Sequence, residues 1–311
     1  MAKHFPLVSV IVPCHNGERF LTETLDSIFA QTYPNTEIIL VDDGSSDNTP
    51  KIIKSIKEDV RSFFLPNNIG GGKARQKGFQ VSKGSYIQYV DQDDILFPDA
   101  IEKRVEILEN SECDIAYSDF QHITENDKGI FEPATIRNRK IDDSGPDIQL
   151  SLLNSWWAPP VSLTYRRTIA QKLSWVNCLV DDARYLFDAC IAGARFIHSP
   201  GVMAYYRIHK HGTSRDQLTW YRDVLNRACY IESFWRGKNA LSEQRVAALH
   251  SYYKDIVEYA KNKDPRLFND AFERLLLLRP RNAVMMALCR IVGYRNINRI
   301  IKILSKIPRS T

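Results

Sequence analysis

The sequence predicts an α/β fold with a mostly parallel central sheet flanked by helices. Two observations carry that prediction. Short apolar runs alternate with amphipathic segments along the N-terminal half, and each apolar run ends in polar or glycine-rich residues. Alternation of this kind with short loops implies parallel strands joined by right-handed crossovers. Leu7-Val8-Ser9-Val10-Ile11-Val12 is the first strand, and it stops at Pro13-Cys14-His15-Asn16-Gly17. Leu21, Leu25, Ile28 and Phe29 fall on one face at helical spacing and make the first helix. Glu37-Ile38-Ile39-Leu40-Val41 is the second strand, ending in Asp42-Asp43-Gly44-Ser45-Ser46-Asp47. Thr49 as N-cap, Pro50 at the first helical position, and Ile52, Ile53 and Ile56 on the buried face define the second helix. Ser62 to Leu65 is the third strand, followed by the loop Asn67-Asn68-Ile69-Gly70-Gly71-Gly72 and a helix from about Lys73. Tyr86-Ile87-Gln88-Tyr89-Val90 is the fourth strand, and Val161 to Tyr165 is a further one.

The fourth strand runs straight into Asp91-Gln92-Asp93-Asp94, closed by Phe97-Pro98. Carboxylates packed this closely raise one another's pKa unless a cation sits among them. Oxygen ligands suit a hard divalent ion such as Mg²⁺ or Mn²⁺, and an ion with open positions can hold a diphosphate. The competing reading is a solvated acidic turn that caps the helix beginning near Pro98. Ligands of open α/β sheets bind at the carboxyl ends of the strands. Here those ends carry Pro13 to Asn16, Asp42 and Asp43, the glycine loop with Arg75, and Asp91 to Asp94. Four polar strand ends on one edge favour a site over four unrelated turns.

Two phosphate-binding motifs are excluded. Gly70-Gly71-Gly72-Lys73-Ala74 is not a P-loop, because Ala74 replaces the required Ser or Thr and Asn67 stands where the first glycine belongs. Arg75 occupies the last glycine position of G-x-G-x-x-G, which removes the dinucleotide fingerprint as well.

Four segments occur in the order and spacing of a known family: Val8-Ser9-Val10-Ile11-Val12-Pro13-Cys14-His15-Asn16, Val41-Asp42-Asp43-Gly44-Ser45-Ser46-Asp47, Asn68-Ile69-Gly70-Gly71-Gly72-Lys73-Ala74-Arg75, and Asp91-Gln92-Asp93-Asp94. Together they resemble a family 2 glycosyltransferase with the GT-A fold, closely over the first third of the chain and more weakly to about Ser214. The resemblance implies a nucleoside-diphosphate-sugar donor, with Pro13, His15 and Asp43 at the nucleotide base, Arg75 at the base or diphosphate, Asp91 at the ribose and Asp93 on a Mn or Mg ion. His15 stands where many relatives carry Tyr, so the stacking partner of the base departs from the common pattern. Arg75 is a fixed cationic donor suited to phosphate; the plain alternative is a surface helix residue.

Transfer also needs a base for the acceptor hydroxyl, and the resemblance points to Asp182 in Leu179-Val180-Asp181-Asp182-Ala183-Arg184. Relatives usually show Glu-Asp there, so Asp181-Asp182 is a conservative variant. An acidic pair in a first helical turn is equally what the helix dipole favours, and N-terminal capping is the alternative. The segment Tyr205 to Ser214 resembles the one that closes family active sites, with His209 as a metal or diphosphate contact and His211 as a loop residue. Trp156 and Trp157 offer ring faces to an acceptor sugar or serve as core.

Composition agrees. At 311 residues and 44% hydrophobic content, the chain can bury an α/β domain and carry an accessory region. The boundaries expected are a catalytic domain over 1–215, split into a nucleotide-sugar half to about 120 and an acceptor half beyond it, and a helical region over 216–311. Six cysteines with no C-x-x-C pair argue against a disulfide framework or zinc site and suit a reducing cytoplasm. Leu7 already opens the first strand, an expectation of no signal peptide. Asn126 to Asp147, rich in charge, Gly and Pro, is expected to be a mobile loop. From Arg274 onward the chain carries Arg279, Arg281, Arg290, Arg295, Arg299, Lys302, Lys306 and Arg309 with no Asp or Glu, against +5 overall. Ile297, Ile300, Ile301 and Leu304 share one helical face of that tail, the pattern of a basic amphipathic helix on an anionic membrane or of a helix packed on protein. No nucleic-acid module accompanies the charge. The function expected is inverting transfer of a sugar to a hydroxyl of a saccharide or lipid-linked saccharide, in polysaccharide or glycolipid synthesis. The alternatives are a nucleotidyltransferase, which Pro13 to Glu18 does not fit, and a catalytically silent nucleotide-sugar or membrane-binding module.

Overall fold

A computed structural model of the chain describes residues 5–137, 147–153, 157–210, 212 and 216–278. These fall into two compact units, one running to residue 215 and the other beginning at Asp216. Trp156, His211, the serine and threonine that follow it, and the tail face of Ile297, Ile300, Ile301 and Leu304 lie outside the described residues.

The first unit is built on a nine-stranded sheet among the described residues. Its parallel half consists of β1 (Val8–Cys14), β2 (Thr36–Asp42), β3 (Val60–Phe64) and β4 (Tyr86–Tyr89), in the order β3-β2-β1-β4. The intervening helices are α1 (Leu21–Phe29), α2 (Thr49–Ser55) and α3 (Gly71–Val81). Every residue of β1 is buried, because both sheet faces are covered. Val8, Val10 and Val12 point into one core with Leu21, Leu25, Ile28 and Ile53. Ile11 points to the other face, where a Cβ added to Gly78 of α3 would lie 2.4 Å from its side chain.

Beyond β4 the sheet changes direction. β8 (Leu163–Arg166) pairs antiparallel with β4 and with β6 (Ile115–Glu125). β9 (Phe196–Ile208) runs parallel to β6 and also pairs antiparallel with the two-residue β5 (Ile95–Leu96). β7 (Phe131–Arg137) forms a hairpin with β6. The helices of this half are α4 (Ala100–Glu109), α5 (Ile148–Leu153), the four-residue α6 (Arg167–Ala170) and α7 (Asp181–Ile191).

Several boundaries differ from the sequence reading. Asn48, not Thr49, is the residue before α2; Thr49 is its first residue, and its hydroxyl accepts from the Gly17 amide at 2.8 Å. Asp47 Oδ1 accepts from the Thr49 amide at 2.9 Å, so the capping acceptor stands two residues ahead of Thr49. The third helix begins at Gly71 rather than Lys73, and the third strand spans Val60–Phe64. The expected loop over Asn126–Asp147 contains β7, whose pairing to β6 supplies the backbone partners that a loop lacks.

The second unit is helical: α8 (Gln217–Gly237), α9 (Glu243–Ala260) and α10 (Pro265–Leu277). Each starts on a side-chain cap, Asp216 accepting from Thr219, Ser242 from Arg245 and Asp264 from Leu267. Val224, Ala228, Ile231 and Trp235 of α8 and Leu249, Tyr253 and Ile256 of α9 form buried stripes. Glu232, buried on α8, accepts from the Tyr253 hydroxyl and the Arg236 guanidinium at 2.7 Å each.

Candidate functional site

The carboxyl ends of the parallel strands are stitched together by side-chain and backbone bonds. Cys14 of β1 pairs with Asp42 of β2, and the Asp43 amide donates to the Cys14 carbonyl at 2.7 Å. Pro13 is buried in β1 opposite Val41. His15 follows it, with Nδ1 2.9 Å from the Asp43 carbonyl. The Asp43 carboxylate is buried and accepts the Ile69 and Gly70 amides at 2.8 Å each. It therefore fastens the glycine loop to the end of β2. Two glycines of that loop are required by close approach. Gly70 has φ +96°, and a Cβ there would sit 1.7 Å from Asn177; at Gly72 it would sit 2.2 Å from the Val176 carbonyl. The loop thus admits the segment that leads into α7.

Arg75, one turn into α3, is the hub of the site. Its guanidinium is buried, with Nη2 2.5 Å from Asp91 Oδ1 and Nη1 2.7 Å from Asp181 Oδ2. It also lies 4.7 Å above the Trp175 ring, which stacks on Tyr185 at 4.1 Å. Burial works against the guanidinium charge, but Asp181 and then Asp91 outweigh it and drive the pKa up. Burial likewise lifts the Asp181 carboxyl to about 7, with Arg75 opposing and the Asp182 and Asp91 charges adding. The arginine stays charged throughout.

The acidic turn after β4 divides into three duties. Asp91 turns to Arg75. Asp93 Oδ2 lies 3.0 Å from His209 Nε2, and the buried His209 ring packs 4.6 Å from that of Phe20. Asp94 turns inward, where its Oδ1 accepts the Arg207 amide at 3.1 Å. Burial, reinforced by Asp93 and Asp91, pushes the Asp94 carboxyl well above the usual carboxylate range. The short β5 explains the meeting with His209. Its antiparallel register sets Ile95 against Tyr205, which draws the end of β9 back over the turn that precedes β5. Among the described residues, no three His, Cys, Asp or Glu side chains converge as a metal-holding group. Asp93 and His209 instead present a two-donor edge.

Asp182 lies in the first turn of α7. Its Oδ1 accepts the Ala183 amide at 2.6 Å, and its Oδ2 accepts the indole N–H of Trp157. Trp157 packs against Phe120 at 5.7 Å and Tyr206 at 5.2 Å. The pairing of Trp157 with Asp182 is a partnership that residue type alone does not disclose. Gln92 is a second residue that the sequence reading passed over. Its side chain accepts the His15 amide and donates to the His15 carbonyl, both at 2.8 Å, while its own carbonyl accepts from the Thr24 hydroxyl. An amide between two carboxylates at a strand end is the signal: it offers both a donor and an acceptor, where a third ionised acid would offer acceptors alone.

The family model described as glycosyl transferase family 2 matches residues 9–173. An uncharacterized glycosyltransferase of Nostoc sp. is 31% identical over 211 residues, covering 65% of this chain and 65% of that protein. The chain spans less than two thirds of the length of curated relatives that it matches. Among solved structures, Staphylococcus aureus TarS 1–349 in complex with UDP-GlcNAc has a TM-score of 0.66 at 18% identity, over 95% of this chain and 91% of that one. The mannosyltransferase PcManGT of Pyrobaculum calidifontis, in complex with GDP-Man and Mn2+, has a TM-score of 0.57 at 17% identity, over 94% and 81%. The fold is that of GT-A glycosyltransferases. With the family match running from β1 through the acidic turn to β8 and the residues just after α6, this chain belongs to glycosyl transferase family 2.

Proposed function

We propose that the chain is an inverting glycosyltransferase that moves a sugar from a nucleoside-diphosphate sugar to a hydroxyl group, in polysaccharide or glycolipid synthesis. One observation carries the reading: Asp91 and Asp93, two residues apart at the end of β4, are engaged by Arg75 from one side and by His209 from the other. Pro13, His15 and Asp43 border the base, Arg75 serves the base or diphosphate and Asp91 the ribose. Asp93 and His209, an oxygen and a nitrogen donor, would hold a Mn or Mg ion beside the diphosphate. Such an ion, when bound, offsets the negative charge that grows on the departing diphosphate. Asp182 accepts the proton of the acceptor hydroxyl as that oxygen bonds to the anomeric carbon, and the bond from that carbon to the diphosphate breaks on the opposite face. The complexes of TarS with UDP-GlcNAc and of PcManGT with GDP-Man and Mn2+ support this donor class.

The test is calorimetric binding of a panel of uridine and guanosine diphosphate sugars, with Mn²⁺ and with EDTA, followed by turnover on saccharide acceptors. One sugar nucleotide is expected to bind in a Mn²⁺-dependent way and to release its nucleoside diphosphate when acceptor is added. Metal-independent binding across the panel would sink the metal assignment.

The tail supplies a location. No helix of the described residues is long and apolar enough to cross a membrane, and six cysteines without a C-x-x-C pair suit the cytoplasm. We infer that the acid-free segment after Arg274 attaches the protein peripherally to an anionic leaflet, each surface Lys or Arg contributing on the order of 1 kcal/mol. The chain is then expected to sediment with phosphatidylserine-containing liposomes, to be released by high salt, and to stay in solution when truncated after Leu278, which leaves α10 intact. A full chain that ignores the liposomes uses the tail for protein packing.

A further inference from the structure

We propose that Trp157 is the positioning residue for Asp182, gripping one carboxylate oxygen through its indole N–H so that the open lone pairs of the carboxylate face the acceptor hydroxyl. The inference rests on the reading of Asp182 as general base. An aspartate in a first helical turn ordinarily folds back onto its own helix, and Asp182 Oδ1 does so by taking the Ala183 amide. One bond leaves the carboxylate free to turn about it. The second oxygen is held from a different part of the chain, 25 residues away, by Trp157 Nε1. Two donors from two directions fix the plane of the group.

Trp157 suits this task for chemical reasons. The indole N–H donates and never accepts, so it orients the base without competing for the proton that the base must take. The ring itself is braced. Phe120, fully buried on β6, meets it edge-on at 89°, and Tyr206 of β9 meets it at 82°. The charged and titratable groups facing Asp182 come from every neighbouring element: Asp181 on its own helix, Arg75 on α3, Tyr165 on β8 and Tyr206 on β9. Burial, with the carboxylates of Asp94, Asp182, Asp93 and Asp91, keeps the Tyr206 hydroxyl protonated. The simpler reading is a core tryptophan whose N–H found a nearby acceptor. That reading and ours differ in what the indole reports.

In the free protein, the ¹⁵N-indole resonance of Trp157, assigned through its contacts to Phe120 and Tyr206, is expected to titrate with Asp182 and to lose that titration in Asp182→Asn. In turnover with the sugar nucleotide selected by the panel, Trp157→Phe is expected to lower kcat about tenfold, the worth of one charge-assisted hydrogen bond, with donor KM unchanged. The acid limb of its pH profile should move upward, because removing a donor from a carboxylate favours the protonated form. In an Asp182→Asn background the same change should cost nothing more. A resonance that ignores Asp182→Asn, a wild-type kcat for Trp157→Phe, or an equal loss in both backgrounds overturns the proposal while leaving Asp182 as base. A normal transfer rate for Asp182→Asn removes the base reading and this proposal together.

Discussion

Asp182→Asn is expected to bind donor as the natural protein does and to transfer sugar about two to four orders of magnitude more slowly, the usual worth of a general base. The replacement is nearly isosteric. Its carbonyl can still accept from the Ala183 amide or the Trp157 indole, so the first turn of α7 keeps its geometry. What is lost is a group able to take a proton. Asp181 does not step in, although burial lifts its carboxyl to about 7, because its Oδ2 is committed to Arg75 at 2.7 Å. The measurements are calorimetric donor affinity and the rate of nucleoside diphosphate release with acceptor present. Unchanged affinity with an unchanged rate would reduce Asp182 to a helix-capping residue and move the base elsewhere.

The second large effect is on metal dependence. Asp93→Ala is expected to abolish the Mn²⁺-dependent part of donor affinity while leaving thermal unfolding close to that of the natural protein. Asp93 is partly exposed and bonds to His209, so its loss leaves a small vacancy at the surface of the site. Asp94 is the contrasting control. Buried and bonded to the Arg207 amide, it supports the return of β9, and Asp94→Ala should lower thermal stability by the cost of stranding a buried backbone donor, on the order of 1–3 kcal/mol. A Mn²⁺-dependent affinity that survives Asp93→Ala would remove Asp93 from the metal site.

The parallel half was legible because local pattern and tertiary environment agree there. Apart from Ser9, β1 is apolar at its buried positions, α1 carries its Leu21, Leu25 and Ile28 stripe, and most of the charged residues sit where the strands end. The antiparallel half was harder. β7 carries Pro133, two charges and mostly exposed residues, so nothing in its composition competes with a loop; only its partner β6 makes it a strand. The two-residue β5 is shorter than any periodicity can detect. Within the site, residue types at strand ends could be read from sequence, but pairings could not. Asp91, Asp93 and Asp94 look alike in the chain, and their separate partners, Arg75, His209 and the Arg207 amide, come from α3, the residue just past β9 and β9 itself.

Those partners also set the order in which the site can be completed. Arg75 and Asp91 are 16 residues apart, whereas Arg75 meets Asp181 across 106 residues and Asp93 meets His209 across 116. Closing loops of that length costs chain entropy that only long-range packing returns. A growing polypeptide therefore has its parallel strands and its first ion pair available well before His209 leaves the ribosome. Until β9 docks, the Asp93 and Asp94 carboxylates have neither histidine nor backbone amide to meet them, so the unfinished protein carries an acidic turn without the contacts that turn it into a binding edge.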